Sequence, residues 1–572
     1  MKSQIDPVTY SRGIMVRRLI SLLSTDVSSV HAAAYILAFS AIASQILALI
    51  RDRLLAHTFG ASIELDVYYS AFRVQDFIFF SVASLVSLTV LIPILIGKIE
   101  SGKEETKKFL NSVFSVFFLA VSIFALIVAW FTPSIIPFIF PGIIGKGYDA
   151  DLIFLTRLLL LSPLILGLSN LLGSITQAYR KFFISAISPL LYNIGIIIGI
   201  VFFYPFYGIS GLGYGVILGA IFHLLAQVPF ILSEGLFPKF TFVWDFNEIK
   251  RLLSLSLPRT LALSLNHITL LILFGFASLM GVGSISILSF SFNLQSVLVA
   301  TIGASYSVAA FPILARHFFK KEQKEFLDHF TTALKHIIFW SLPALVLFIV
   351  LRAQIVRVVL GSGAFSWQNT RLTAAALALL VVSIIAQNIS LLFIRAFYAA
   401  GDTKKPLIIS LISSSLIVIL AYTGLLLFSS NALFKNFIEV IMRVPDLSGT
   451  AILIIPLAYS IGSFLNVILF WVFFRRFFSP FSFEIGKTAF HSLSSSALIG
   501  FVSYQGLQFF GKFFNLDTFT GIFFQGFLSG LSGIAFGIFA LYIFKNEEFF
   551  EITKSLKLRI FKTDVVQTDT IT

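Results

Sequence analysis

Apolar stretches of about twenty residues recur from Ala32 to Phe544, separated by short connections that collect most of the lysines and arginines. An α-helix rises about 1.5 Å per residue, so each stretch is long enough to cross a hydrocarbon layer roughly 30 Å thick. Open sheet is excluded, since lipid offers no partner for a free backbone N–H or C=O. The pattern predicts an all-α polytopic membrane protein with about fourteen transmembrane helices. They fall near residues 31–56, 68–97, 109–131, 151–177, 182–204, 210–233, 253–279, 284–315, 333–351, 372–399, 405–429, 451–474, 486–510 and 519–544.

Composition places most of the chain in lipid: 58% of its 572 residues are hydrophobic and 12% charged, against about 25% charged in soluble domains. Mean hydropathy is +0.96. The formal charge of +14 would suggest nucleic acid in a soluble protein, but here its distribution matters more than its sum, and no nucleic-acid partner is expected. There is no cysteine, which removes disulfides, thiolate metal sites and cysteine nucleophiles. Residues 1–30 carry Arg12, Arg17 and Arg18 around an apolar patch too short to span, and read as an interfacial leader or a disordered tail. The first span would then serve as an uncleaved targeting signal.

Of the 41 Lys and Arg residues, 28 fall in the termini and in every second connection. By the positive-inside rule both termini are cytoplasmic, which requires an even number of spans in the cell membrane. The connection after span nine breaks the rule with Arg352, Arg357 and Arg371. It is either a genuine exception serving an anionic ligand or a displaced boundary.

The chain also resembles itself. "LIPIL" with Pro93 answers "FPILAR" with Pro312, "QAYRKFFISAISP" answers "RAFYAAGDTKKP", and Gly60 and Phe72 answer Gly281 and Phe292, all at a shift of about 219 residues. Six spans per repeat give two lobes of like orientation, 31–234 and 235–476, facing each other across a central cavity. Residues 477–544 then form a two-helix appendage and 545–572 a cytoplasmic tail.

Ionisable groups within spans are costly and usually face a cavity or a partner. The densest set is Arg51, Asp52, Arg53, Asp66, Arg73 and Asp76 around the first hairpin. Arg51 and Arg73 are the cavity candidates, while Asp52 and Arg53 also read as a structural ion-pair network. Arg259 and Asn266 share one helix face, and a face pairing guanidinium with amide suits phosphate and sugar hydroxyls. Asn293 is a further candidate, with Arg395 and Pro312 as structural or gating positions. Gln387 and Asn388 read more simply as interhelical glue. There is no Walker motif, no metal-spaced histidine pair and no soluble insertion to house an ATPase, so no cofactor is expected. Uphill transport would draw on an ion gradient, the membrane potential or a partner.

"RDRLLAHTFGASIELDVYYSAFR" (51–73), "GSITQAYRKFFISAISPLLYN" (173–193), "LPRTLALSLNHI" (257–268) and "FIRAFYAAGDTKKP" (393–406) resemble the MurJ family of lipid II flippases, also called MviN. The family belongs to the multidrug/oligosaccharidyl-lipid/polysaccharide exporter superfamily, and the resemblance covers about residues 31–475. It implies fourteen helices, alternating access, a lipid-linked disaccharide-peptide cargo moved to the outer leaflet, and a final helix pair forming a groove for the polyprenyl tail. It places the family's Arg-Asp pair on Arg51 and Asp52 and its acidic residue on Asp66. Other family arginines fall on Gln45, Phe79, Phe80 and Asn293. Arg73 and Arg259 are candidate substitutes, so Arg51, Asp66, Arg73, Arg259, Asn266 and Asn293 form the expected substrate-binding set.

The expected function is therefore flipping of lipid-linked peptidoglycan precursor rather than enzymatic catalysis, with membrane lipids and cell-wall synthesis proteins as candidate partners. The rival readings are a flippase for another undecaprenyl-linked glycan, an ion-coupled exporter of amphipathic cations, and a non-transporting scaffold.

Overall fold

The computed structural model describes residues 30–82, 88–478 and 485–560, and every element in them is helical. The side chains of a few helical residues, Arg259 among them, lie outside that description, as do the expected leader before Val30 and the tail after Ile560. In chain order the helices are α1 (Val30–Phe59), α2 (Ile63–Ser81), α3 (Leu88–Ser101), α4 (Lys103–Ile139), α5 (Asp149–Ala178), α6 (Phe182–Tyr207) and α7 (Ile209–Ser233). There follow α8 (Phe246–Ser278), α9 (Ser284–Phe319), α10 (Gln323–Val350), α11 (Arg352–Leu360), α12 (Trp367–Val382), α13 (Ile384–Ala399) and α14 (Lys404–Ser430). The chain ends in α15 (Ala432–Met442), α16 (Thr450–Phe477), α17 (Gly486–Phe510), α18 (Phe519–Ile543) and α19 (Glu547–Ile560).

Where the chain is described, the predicted spans fall largely on helix; residues 83–87 of the second span lie outside the described residues, with separate helices on either side. Among the described residues, ten helices are long and apolar enough to cross a membrane by themselves, or eleven if α12 and α13, bent by 41°, count as one span. Large aromatic side chains stand in the open on them: Trp130, Phe138 and Phe206 are 79%, 87% and 82% exposed. Such exposure is unfavourable in water and favourable in lipid.

Short polar residues start the helices. Ser62 accepts from Leu65 N–H to open α2, Asp245 accepts from Asn247 and Glu248 N–H to open α8, and Thr518 accepts from Gly521 N–H to open α18. The α12–α13 bend falls at Ser383, whose hydroxyl donates to the Leu380 carbonyl and accepts from Gln387 and Gln295. A hydroxyl inserted beside the helical ladder is a recognised cause of bending.

The fold divides into two compact units. The first comprises the chain up to Ser289 with Val359–Asn369, and the second Phe290–Val358 with the chain from Thr370. The first unit buries Leu91, Leu110, Phe117, Leu171, Ile175, Ile184 and Ile231, drawn from α3 to α7. The second buries Leu314, Phe326, Phe330, Phe393, Phe397, Phe470 and Phe474, drawn from α9, α10, α13 and α16.

Within the first unit, α6 and α7 meet backbone to backbone. A Cβ added at Gly195 would strike Gly219, and one at Gly199 would strike Gly215. The four-residue spacing on both helices is the small-residue packing that lipid favours, where van der Waals contact replaces a hydrophobic driving force. Gly215→Val is expected to cost about 1–3 kcal/mol through overpacking, measured as a lower unfolding temperature in mild detergent. Gly97→Ala, with no atom within 4 Å of the added carbon, is the matched control and leaves that temperature unchanged or slightly raised.

Candidate functional site

Two arginine–aspartate pairs share one neighbourhood of the first unit. On α1 the Arg51 guanidinium donates to Asp52 Oδ1 through Nε at 3.0 Å and Nη2 at 2.8 Å. Its Nη1 donates across to Asn193 Oδ1 on α6 at 3.2 Å. On α2 Arg73 Nη1 lies 3.5 Å from Asp76 Oδ2, and the guanidinium carbon sits 4.1 Å from the centre of the Phe274 ring on α8. Tyr68 and Tyr69 stand close enough to these groups to feel their charges.

The helices meet here because α1 presents small polar residues at helical spacing. Ser40 donates to the Ala186 carbonyl on α6, and Ser44 accepts from Asn193 Nδ2 at 3.3 Å. Ser44 and Arg51 are seven residues apart, two turns along one face, so a single amide grips both. Asn193 Nδ2 also donates to the Pro189 carbonyl, which anchors the amide to its own helix.

The four groups Arg51, Asp52, Arg73 and Asp76 cancel formally, as burial in apolar surroundings demands. What remains for a ligand is directional. Among the described residues, Arg51 uses three of its five N–H groups, leaving two, and Arg73 Nε is buried without a hydrogen-bond partner. An anionic oxygen placed beside them would find charge-assisted donors.

The other candidates are placed differently. The Asp66 carboxylate is 2% exposed and turned toward the start of α9, accepting from Gly283 N–H at 2.6 Å and from Ser286 N–H and Oγ at 2.8 and 2.7 Å. That is a clasp on a helix N-terminus, where carboxylate and helix dipole attract. Gly283 has φ 85°, and a Cβ there would collide with the Ala61 carbonyl, so the clasp needs glycine. Asn266 is exposed on α8, the same unbroken helix that carries Arg259. Asn293 is half-buried on α9 and belongs to the second unit. Arg395 lies 5.6 Å from the centre of the Phe311 ring, and Pro312 is exposed within α9. Asn388 donates to Ser341 Oγ and Gln387 to Ser383 Oγ, the interhelical and local bonds of structural amides. At Phe80, where the resemblance expects arginine, the ring stacks on His267 with centroids 3.8 Å apart.

A family model described as lipid II flippase MurJ matches residues 55–524. The chain belongs to this family. It is 28% identical over 482 residues to a probable lipid II flippase MurJ of Buchnera aphidicola subsp. Acyrthosiphon pisum, covering 77% of this chain and 93% of that one. A probable lipid II flippase MurJ of Thermotoga maritima is 25% identical, with 73% of this chain and 86% of the relative covered. The solved structure of a lipid II flippase MurJ in an inward closed conformation matches with a TM-score of 0.70 at 23% identity, over 90% of this chain and 99% of that one. An inward-facing multidrug MATE transporter of the MOP superfamily matches with a TM-score of 0.63 at 17% identity, over 76% and 94%. Membership places the protein among multi-span membrane transporters.

Sequence reasoning missed Asn193 as a partner of Arg51, although it closes the motif at 173–193; only its spacing from Pro189, one helical turn earlier, hinted that it faces inward. Asp66→Ala is expected to remove about 1.5–3 kcal/mol of stability, the range for hydrogen bonds to a charged group. The measurement is thermal unfolding in detergent, with Asp66→Asn retaining part of the loss because one amide oxygen can still accept.

Proposed function

We propose that this protein flips lipid II, the lipid-linked peptidoglycan precursor, from the cytoplasmic to the outer leaflet by alternating access. The observation that carries the reading is Arg51: a guanidinium fixed within the helices by Asp52 and Asn193, with two N–H groups left for a phosphate oxygen. Arg73 supplies the second cation and, among the described residues, an unpartnered Nε–H, while Arg259 is a further candidate from the sequence pattern alone. The Phe80–His267 stack offers a flat face to the sugar portion where the family pattern has arginine. In this reading the chain crosses the membrane fourteen times with both termini in the cytoplasm, α17 and α18 cradle the polyprenyl tail, and transport draws on an ion gradient or the membrane potential.

The test is complementation of a bacterium depleted of its own lipid II flippase, with outer-leaflet lipid II as the readout. The wild-type chain is expected to restore surface lipid II, Arg51→Ala to abolish it, and Arg73→Ala to reduce it at equal membrane expression. Expression without rescue, in a host shown to accept a related flippase, would transfer the reading to another undecaprenyl-linked glycan.

A further inference from the structure

Where α17 and α19 begin, within the second unit, they enclose with α10 a cavity of about 350 Å³. Its lining includes Lys335 of α10, Lys487, Thr488 and His491 of α17, and Glu547 and Glu548 of α19. The three helices are bonded to one another around it. Ser492 Oγ donates to the Phe339 carbonyl at 3.2 Å and holds α17 against α10. Lys487 Nζ lies 2.7 Å from Glu547 Oε1, and the Thr488 hydroxyl donates to Glu548 Oε1, so two side chains of α17 grip the first two residues of α19. Asn546 caps α19 by accepting from Phe549 N–H at 2.8 Å, and its Nδ2 donates to Glu548 Oε2 at 2.8 Å. His336 of α10 meets Glu551, one turn along α19, at 3.4 Å.

The charges that line this cavity do not all find partners. Lys487 and Glu547 neutralise each other. Glu548 is 5% exposed, yet a hydroxyl and an amide hold its oxygens, and among the described residues no cation forms an ion pair with it. Among the same residues Lys335 makes neither an ion pair nor a hydrogen bond. The His491 ring is set against Phe544, with ring centres 5.4 Å apart, and its Nδ1 is buried without a hydrogen-bond partner. No side chain caps the start of α17. A buried carboxylate without a counter-charge is costly, and so is a lysine with no acceptor beside it. An anion alone would meet Glu547 and Glu548, and a cation alone would meet Lys335 and Lys487. A zwitterion answers both ends. Its phosphate faces Lys335 and the uncapped start of α17, where the helix dipole favours an anion, and its ammonium faces Glu548.

We propose that this cavity binds the phosphoethanolamine headgroup of a membrane lipid. It lies where the apolar α17–α18 pair ends, which is the depth of lipid headgroups. Phe490 and Leu493 of α17, Ile543 of α18 and Phe550 of α19 flank its lining residues in the chain and are exposed, an apolar surface for the acyl chains. The site stands whatever the protein transports.

The full chain, purified in mild detergent, is titrated separately with phosphatidylethanolamine, phosphatidylglycerol and glycerophosphoethanolamine, which has the head but no acyl chains. Bound equivalents are counted by native mass spectrometry. The wild-type chain is expected to bind its first equivalent of phosphatidylethanolamine about tenfold more tightly than phosphatidylglycerol, which lacks the ammonium. Glu548→Gln is expected to erase that preference, and Lys335→Gln to weaken both lipids about tenfold. Lys512→Gln, exposed just beyond the far end of α17, leaves binding unchanged. Lys335→Gln breaks no bond of the fold and should keep the wild-type melting temperature, so it remains decisive if Glu548→Gln disturbs the start of α19. Wild-type affinity in Lys335→Gln would overturn the proposal, as would equal affinity of the wild-type chain for the two lipids. Glycerophosphoethanolamine binding as tightly as the whole lipid would overturn the membrane as the source of the ligand.

Discussion

A guanidinium among apolar helices cannot be left to itself, and much of the first unit is arranged around that constraint. Desolvating an isolated charge costs several kcal/mol, so it persists only where a counter-charge and hydrogen bonds replace water. Asp52, the next residue along the chain, neutralises Arg51, and Asn193 steers it from α6. The same amide holds Ser44, which draws α1 along α6, while the glycine seam draws α6 onto α7. Arg73 is accommodated by Asp76 and the Phe274 face.

This neutrality bears on transport. A site with large net positive charge would bind a diphosphate tightly and release it slowly, whereas a carrier must let its cargo leave. In the proposed reading, attraction comes from the oriented N–H groups that Asp52 and Asn193 leave unused. The replacement of expected arginines by Gln45, Phe79, Phe80 and Asn293 fits the same economy of charge. Asp66, by contrast, gives its carboxylate to the start of α9, tying positions 217 and 220 residues apart.

Much of the architecture was legible because lipid imposes a strict rule on the backbone: twenty apolar residues in a row have little choice but helix. Most predicted span limits accordingly fell on helix, those at 279, 351 and 544 lying in the turn just beyond a helix end, and the bend within the tenth span lies at a serine near Gln387 and Asn388, which had been read as structural amides. Arg51 and Arg73 could be singled out because charge is scarce in these spans. Their partners could not, since Asn193 and Phe274 are ordinary residues of apolar helices until the fold sets them against a guanidinium.

The sequence by itself determined that the chain is helical and membrane-embedded, that it resembles the MurJ family, and which few charged residues fall within apolar stretches, because length, hydropathy and charge act locally. Only the tertiary structure decided that Arg51 is shared between a neighbouring aspartate and a distant amide. It alone turned Asp66 toward the α9 N-terminus. Those outcomes depend on contacts between residues tens to hundreds of positions apart, where hydrogen-bond geometry and counter-charge, rather than hydropathy, select the partner.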